Sequence, residues 1–196
     1  MIKAYLAGPD VFLPNALEHA RRKIEICARH GIVGLAPLNE DAGPADNSVT
    51  AVAWSDIFHK DIEMMEASDI IIANLTPFRG ASADAGTLVE IGWFLGRGKP
   101  IFGYSNSARL FDQRSKDQAN AVPDPMRGIA VEGFGLPDNL MIPGAVLQGG
   151  GGMIILPDSD QDEPFDALNV FEKCVRLAAD KLASWKNIAF GSATCN

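Results

Sequence analysis

Residues 76–98 read TPFRGASADAGTLVEIGWFLGRG and join two elements that decide the architecture. The largely apolar run Ile70–Leu75 precedes them and is typical of a parallel strand that is buried on both faces. Proline, glycine, serine and aspartate then predict a loop, and a nearly all-apolar helix begins near Ala85. A buried strand that passes through a loop into a buried helix is the repeating unit of an α/β protein.

One acidic residue, Glu90, interrupts the apolar sequence of this helix. A carboxylate among apolar neighbours costs free energy unless it is paired or has a function. Helical side chains lean toward the N-terminus, so Glu90 is expected to lie over Thr87 and Gly86, and Gly86 leaves room for a ligand. The sequence alone leaves two interpretations open: a functional carboxylate, or one that reaches solvent or pairs with an arginine.

Composition narrows the class of protein. The chain has 196 residues, 47% of them hydrophobic, which suits one domain with a full core. Its net charge of -8 argues against a nucleic acid or a membrane surface as partner, and no stretch reaches the roughly 18 apolar residues of a membrane span. The three cysteines are scattered and form no CxxC pair, which predicts neither a disulfide frame nor a zinc site. Together with the expected lack of a signal peptide, this predicts a reduced, cytoplasmic protein.

Strands and helices alternate along the chain. The predicted strands are Ile2–Ala7, Ile32–Leu35, Asp69–Leu75, Ile101–Tyr104 and Met153–Leu156. The predicted helices are Leu17–His30, Thr50–Ala67, the Glu90 helix and Phe165–Trp185. This alternation predicts a flavodoxin-like, doubly wound α/β fold, with a five-stranded parallel sheet in the order 2-1-3-4-5 and helices on both faces. Residues 1–187 are expected to form this single domain, and residues 188–196 a loose C-terminal tail.

Two segments are less regular. The polar segment 105–124 predicts a flexible insertion with at most a short helix near Leu110. Four glycines at 149–152 lack the Lys-Ser/Thr pair of a phosphate loop, so they indicate a turn before the fifth strand. The absence of a GxGxxG motif argues against a dinucleotide site.

Asp61 is a second acidic residue in an apolar setting. It falls inside the predicted buried stripe of helix Thr50–Ala67, four residues after Ile57 and four before Met65. The other members of this stripe are Trp54, Phe58 and Ile62. Such an aspartate either hydrogen-bonds a neighbouring loop or belongs to a functional site. In doubly wound sheets that site lies at the carboxyl ends of the strands, where the loops Gly8–Leu13 and Thr76–Ser82 are expected to open.

Four blocks of sequence resemble the nucleoside 2-deoxyribosyltransferase family. They are YLAGP at 5–9, KDI at 60–62 with SD at 68–69, SADAGTLVEIG at 82–92, and EGFGLP at 132–137 with NLM at 139–141. The Asp-x-Gly-Thr-x-x-Glu element within the third block is fairly specific when a strand and the Asp61 helix precede it. The blocks span most of the chain, whereas the closing helix carries no motif.

The resemblance implies a glycosyl transfer in two steps. Glu90 would be the nucleophile that attacks C1′ of a 2-deoxyribose, and Tyr5 the phenol that orients it. Asp61 and Asp84 would line the base site and manage the proton of the base, with Gly8 in the substrate-binding loop. Cleavage of an N-glycosidic bond builds oxocarbenium character, which a close carboxylate stabilises or traps covalently. The leaving base also needs a proton, and burial beside like charges keeps a carboxyl group protonated near neutral pH.

The resemblance also implies partners. Asn139 would hold the 5′ side of the sugar from a neighbouring subunit, so the active form would be a homo-oligomer built from dimers, typically a hexamer. The ligands would be a deoxynucleoside and a free nucleobase, with no metal or organic cofactor.

Two alternatives remain open. A sister branch of the family hydrolyses nucleoside monophosphates and tends to carry a small hydroxyl residue six positions before the nucleophile. This chain has Asp84 there, which would repel phosphate, although Arg109, Arg114 or Lys116 in the insertion 105–130 could offset the repulsion. The second alternative is a non-catalytic nucleotide-sensing module of the same fold, which would not need three grouped carboxylates.

Overall fold

The computed structural model describes residues 1–38, 51–121, 128 and 130–191, with only the backbone at 51–53 and 186–191. Its strands are β1 (Ile2–Ala7), β2 (Ile32–Leu35), β3 (Ile70–Asn74) and β4 (Ile101–Tyr104). Its helices are α1 (Ala16–Arg29), α2 (Ala51–Glu66), α3 (Ala85–Gly96), α4 (Phe111–Ala121), α5 (Met141–Gln148) and α6 (Asn169–Gly191). A 3-10 turn covers Pro9–Phe12.

The four strands form one parallel sheet in the order β2-β1-β3-β4. Alternate side chains of each strand point to opposite faces. In β1, Ala4 and Leu6 pack in the core that α1 and α6 cover, whereas Tyr5 and Ala7 pack in the core under α2, α3 and α5. The predicted doubly wound α/β fold with helices on both faces is therefore confirmed, together with the order of its first four strands.

The predicted fifth strand is not a full strand in the described residues. Two isolated bridges pair beside β4, at Gly150 and at Ile155. The Ile155 N–H donates to the Gly103 carbonyl and its carbonyl accepts from Ser105 N–H, each at 2.9 Å. The glycine run before it passes very close to β4, since a Cβ on Gly151 would lie 2.0 Å from the Ile101 carbonyl oxygen. The glycines therefore permit a close backbone approach, and the sheet ends in isolated bridges instead of a fifth strand.

The predicted buried stripe of α2 is wrong in its first half. Met65 is fully buried, but Trp54 and Phe58 are 64% and 51% exposed, and Ile57 faces a cleft. The C-terminal end of α2 packs on the core through Ile62, Met64 and Met65, and no residue of its first half belongs to the described core. The stripe thus divides into a core-facing part and a cleft-facing part, and Asp61 lies between them.

Two boundaries differ from the sequence-based expectation. The segment predicted as a flexible insertion contains α4, an 11-residue helix. The closing helix α6 continues to Gly191, past the predicted start of the tail, and residues 192–196 lie outside the described residues, so the division at 187 stays a prediction.

In the parts of the chain that the structure describes, no helix is both long and apolar enough to cross a membrane.

Candidate active site

A cleft of about 890 Å³ opens beyond the carboxyl ends of β1 and β2, beside the start of α3. Residues 11–18, from the connection after β1 and the first turn of α1, form one wall, and Pro37 and Leu38 after β2 extend it. The opposite wall comes from α2 and the first turns of α3. Four predicted site residues line this cleft: Gly8, Asp61, Asp84 and Glu90. The strand-end location that the fold predicts for a ligand is therefore occupied by the acidic residues singled out in the sequence.

Glu90 lines the cleft, and Tyr5 lies buried behind it. Tyr5 is fully buried in β1, and its hydroxyl donates to Glu90 Oε1 at 2.6 Å. A short hydrogen bond from a phenol to a carboxylate is strong, and it fixes the orientation of the acceptor. Burial, followed by the nearby Glu90 carboxylate, raises the pKa of Tyr5 far above its ordinary value, so the phenol stays a donor at all working pH values.

The surroundings of Glu90 favour its protonated form. Burial raises its pKa to about 7, and the negative charges of Asp61 and Asp84 add to this, whereas the hydrogen bond from Tyr5 lowers it. Glu90 therefore changes charge near neutral pH instead of near its ordinary value of 4.5. A carboxyl group with such a shifted pKa in a cleft is typical of a catalytic group.

Asp61 reaches the cleft from α2. Its side chain is half-buried, and burial raises its pKa. Its carboxylate accepts no hydrogen bond from any residue in the described ranges, so the structural role considered above, bonding to a neighbouring loop, has no support there. The raised pKa and the neighbouring Glu90 make Asp61 suited to hold and release a proton.

Asp84 has a structural role as well as a place in the cleft. It is the N-cap of α3, where its Oδ2 accepts from the Thr87 backbone N–H at 3.1 Å and from the Thr87 hydroxyl at 3.3 Å. This bond satisfies a free N–H at the start of the helix. A Cβ on Gly86 would lie 3.0 Å from Asp84 Oδ2, so glycine keeps this carboxylate accessible at the start of α3.

Asn139 is a predicted site residue that does not line the cleft. Its side-chain amide donates to Glu132 at 2.8 Å, and its carbonyl oxygen accepts from Met141 N–H at 3.1 Å. These bonds hold the segment that leads into α5. Its expected contact with a sugar in a neighbouring subunit stays a prediction.

Asp138 is a residue that sequence reasoning missed. It is 1% exposed, and its carboxylate accepts from the Ser82 hydroxyl at 2.6 Å and from Ala83 N–H at 3.0 Å. It therefore fixes the loop that leads to Asp84 against the segment before α5. The signal was present as an acidic residue within the fourth block, between Pro137 and Asn139.

Arg109, Arg114 and Lys116 do not line the cleft. Arg114 is buried and donates to the carbonyls of Ala81, Arg109 and Pro137, which ties three loops together. Arg109 pairs with Asp117, and Lys116 pairs with Asp112. These contacts give no support to the idea that the three side chains offset the charge of Asp84.

The described residues contain no group of three or more His, Cys, Asp or Glu side chains arranged to hold a metal ion. Among the described residues, the titratable side chains that line the cleft are those of Glu18, Arg21, Asp61, Asp84 and Glu90, and the Tyr5 phenol is bonded to Glu90. A carboxylate held by a phenol, with further carboxyl groups on two sides, can attack an electrophilic carbon while a neighbour transfers a proton.

Comparison with known proteins identifies the family. Residues 4–141 match the family model described as nucleoside 2-deoxyribosyltransferase. The chain belongs to this family. The matched range contains all six residues that the sequence marks as site candidates.

Individual members of the family and related structures resemble the chain at moderate identity. A solved structure described as a 2-desoxiribosyltransferase from Leishmania mexicana is 27% identical, with a TM-score of 0.60 and coverage of 92% of this chain and 98% of that one. An uncharacterized protein of Schizosaccharomyces pombe is 30% identical over 75% of this chain and 78% of its own length. A putative 2'-deoxynucleoside 5'-phosphate N-hydrolase of Thermofilum pendens is 26% identical over 69% of this chain and 83% of its own length. The relatives thus include proteins named for transfer and for hydrolysis.

Proposed function

We propose that the protein transfers 2-deoxyribose between nucleobases through a covalent deoxyribosyl intermediate on Glu90. The observation that carries this proposal is the 2.6 Å bond from Tyr5 to Glu90 Oε1. The bond occupies one carboxylate oxygen and leaves Oε2 as the nucleophile. Both this proposal and the hydrolytic alternative cleave the N-glycosidic bond of a deoxynucleoside.

In the first step, Glu90 Oε2 attacks C1′ while the bond from C1′ to the base nitrogen breaks. The electron pair of that bond goes to the base, which takes a proton from Asp61. In the second step an incoming base gives its proton to the Asp61 carboxylate and attacks C1′, which releases Glu90. Water in place of the second base gives free 2-deoxyribose, so hydrolysis is the side reaction of the same intermediate.

The geometry supports this division of roles between two carboxyl groups. The nucleophile must lose its proton, which Glu90 does near pH 7, and the hydrogen bond from Tyr5 partly offsets the burial that favours its protonated form. The acid must keep its proton, and Asp61 has a pKa raised by burial and no described donor that stabilises its charge. Two neighbouring carboxyl groups with different hydrogen-bond environments are the usual arrangement for separate acid and nucleophile roles.

The test is base exchange. Wild-type protein is incubated with a deoxynucleoside and a second, different free base, and the new deoxynucleoside is measured by chromatography. Glu90→Gln, which keeps the volume of the side chain, should remove exchange while the protein stays folded. A variant that keeps more than about a hundredth of the activity would contradict the nucleophile role, because loss of a covalent nucleophile costs several powers of ten in rate.

Hydrolysis of deoxynucleoside monophosphates is the second candidate, and the named activity of the Thermofilum pendens relative favours it. Asp84 argues against it, because its carboxylate lines the cleft where the sister branch tends to carry a hydroxyl residue. The two activities are distinguished by their rates. If the protein releases the base from a monophosphate without an acceptor faster than it exchanges bases between free deoxynucleosides, hydrolysis is its function.

We further propose that the active form is a homo-oligomer that shares Asn139 between subunits, as the family resemblance implies. Exposed apolar side chains on the three helices of one sheet face support an interface there: Trp54 and Phe58 on α2, Val89 on α3 and Met141 on α5 are 51–70% exposed. Large exposed apolar side chains grouped on one face are typical of a protein interface. Sedimentation analysis measures the mass in solution, and a monomer would contradict this proposal.

A further inference from the structure

A buried cluster of polar and charged side chains lies behind the cleft wall that residues 8–13 form. Asp10 is its centre. Its Oδ2 accepts from Lys23 Nζ at 2.8 Å, its Oδ1 accepts from Asn74 Nδ2 at 3.0 Å, and His19 Nε2 lies 3.2 Å from Oδ1. Each of the four residues is at most 9% exposed.

The cluster contains a true ion pair. Burial raises the pKa of Asp10, but the charge of Lys23 and the hydrogen bonds from His19 and Lys23 outweigh burial and hold this pKa well below its usual range. Lys23 Nζ also lies 4.8 Å from the centre of the Phe171 ring, inside the core between α1 and α6. The two charges therefore face each other in a largely apolar environment.

The same cluster connects the carboxyl ends of three strands. Asp10 follows β1, and Asn74 ends β3. The Asn74 side chain also accepts from Thr76 N–H at 3.0 Å, and the Thr76 hydroxyl accepts from Asn106 N–H at 2.9 Å just after β4. The loop that forms one wall of the cleft is thus fixed to the rest of the sheet through Asp10.

The loop lies directly on the cluster. Gly8 has a φ of +150°, and a Cβ there would lie 2.6 Å from Asn74 Cβ and 2.7 Å from Asp10 Oδ2. On the other side of the loop, Gly8, Val11 and Phe12 line the cleft. The 3-10 turn Pro9–Phe12 has only four residues, too few to keep its own shape without external contacts.

Stability alone does not account for the buried pair. Desolvation offsets most of the attraction between buried charges, and apolar residues of similar volume often replace such a pair without loss of stability. The pair lies directly behind residues 8–13 of the cleft wall, which indicates a role in positioning that loop. We propose that Asp10 is a positioning residue, held by Lys23 and His19, which keeps residues 8–13 in the shape that receives the nucleoside. This proposal rests on the proposed function for the identity of the ligand.

The test uses the double variant Asp10→Asn/Lys23→Met. It removes both charges, keeps the side-chain volumes, and keeps an oxygen at position 10 that accepts from Asn74. Hydrogen exchange of the amides in residues 8–13 is expected to become about tenfold faster, because the variant loses the charge-assisted hydrogen bond from position 23 and the bonds that remain at position 10 are neutral and about half as strong. KM for the deoxynucleoside is expected to rise roughly five- to tenfold, with kcat within about twofold of wild type, since Asp10 does not contact the reacting atoms.

Lys99→Met is the matched control. Lys99 donates to the carbonyls of Met65, Glu66 and Ser68 at the amino ends of the strands, away from the cleft. This variant is expected to lower the melting temperature without changing KM or the exchange of residues 8–13. It therefore separates a general loss of stability from a change in the position of the loop.

Wild-type hydrogen exchange and wild-type KM in the double variant would overturn the proposal. A rise in KM that Lys99→Met reproduces at an equal loss of melting temperature would overturn it as well. Exchange of the loop amides does not depend on turnover, so it tests the positioning of residues 8–13 even if the wild-type protein shows no base exchange. Failure of the proposed function and failure of this inference are therefore distinguished.

Discussion

Replacement of Glu90 by glutamine should stabilise the fold at high pH. The pKa of Glu90 in the folded protein is about 7, above its ordinary value of 4.5. The folded state therefore binds the proton more tightly than the unfolded chain does, and wild-type stability falls between about pH 4.5 and pH 7 as Glu90 ionises. Each tenfold difference in proton affinity corresponds to about 1.4 kcal/mol, so the loss above pH 7 is of the order of 3 kcal/mol.

The assay is urea unfolding of wild-type protein and Glu90→Gln at matched pH values from 4 to 8. Glutamine does not titrate, so the free energy of unfolding of the variant minus that of wild type should increase with pH, by about 3 kcal/mol from pH 4 to pH 8. Most of the change should occur between pH 4.5 and pH 7. Glu63→Gln is the matched control, because it removes an exposed carboxylate of α2 that does not line the cleft.

A difference that does not vary with pH would refute the reasoning. It would mean that Glu90 titrates in the folded protein as it does in the unfolded chain. A decrease with pH would mean that the bond from Tyr5 outweighs burial and lowers the pKa of Glu90 below its ordinary value. In either case Glu90 would be fully ionised at neutral pH.

Four further predictions concern the reaction. Tyr5→Phe removes the hydrogen bond that lowers the pKa of Glu90, so the acid limb of the kcat/KM profile should move to higher pH; an unchanged limb would show that this bond does not tune the nucleophile. Asp61→Asn should slow exchange of natural deoxynucleosides by roughly 10²-fold or more, with a much smaller loss for a base that leaves unprotonated; equal losses would indicate that Asp61 only positions the ligand. Asp84→Ser keeps an N-cap residue on α3 and removes a negative charge, so the ratio of kcat/KM for a deoxynucleoside monophosphate to kcat/KM for the nucleoside should rise at least about tenfold. An unchanged ratio would show that Asp84 does not exclude phosphate. Mixed oligomers of Glu90→Ala and Asn139→Ala chains should regain activity that neither variant has alone, and no recovery in verified mixed oligomers would argue against shared sites.

Much of the fold follows from local sequence pattern. The strands β2 and β4 lie where the apolar runs place them, and α3 begins at Ala85 as the loop chemistry predicts. Buried parallel strands leave a clear signal because both of their faces are apolar. The missing fifth strand shows the limit of this signal, since the close passage of Gly151 over Ile101 is a tertiary contact that no local pattern records.

The sequence predicts those site residues that carry a charge within an apolar helix. Glu90 and Asp61 stand out because a carboxylate is costly in an apolar helix. Asp10 and Asp138 do not stand out, because each follows a proline in a loop, where an aspartate is common, and the burial of both comes from tertiary contacts. The exposure of Trp54 and Phe58 was not predicted because it too depends on tertiary contacts: helical spacing identifies an apolar face but not what covers it.

The central claim is that Glu90 carries the sugar, and the most direct measurement is the mass of the protein during turnover. Wild-type protein is mixed with a deoxynucleoside, quenched in acid within the first turnovers, digested and analysed by mass spectrometry. The account predicts a peptide with one added 2-deoxyribosyl group on Glu90, which disappears when an acceptor base is added before the quench and is absent from Glu90→Gln. Rapid base exchange with no such adduct, or an adduct on another residue, would contradict the account.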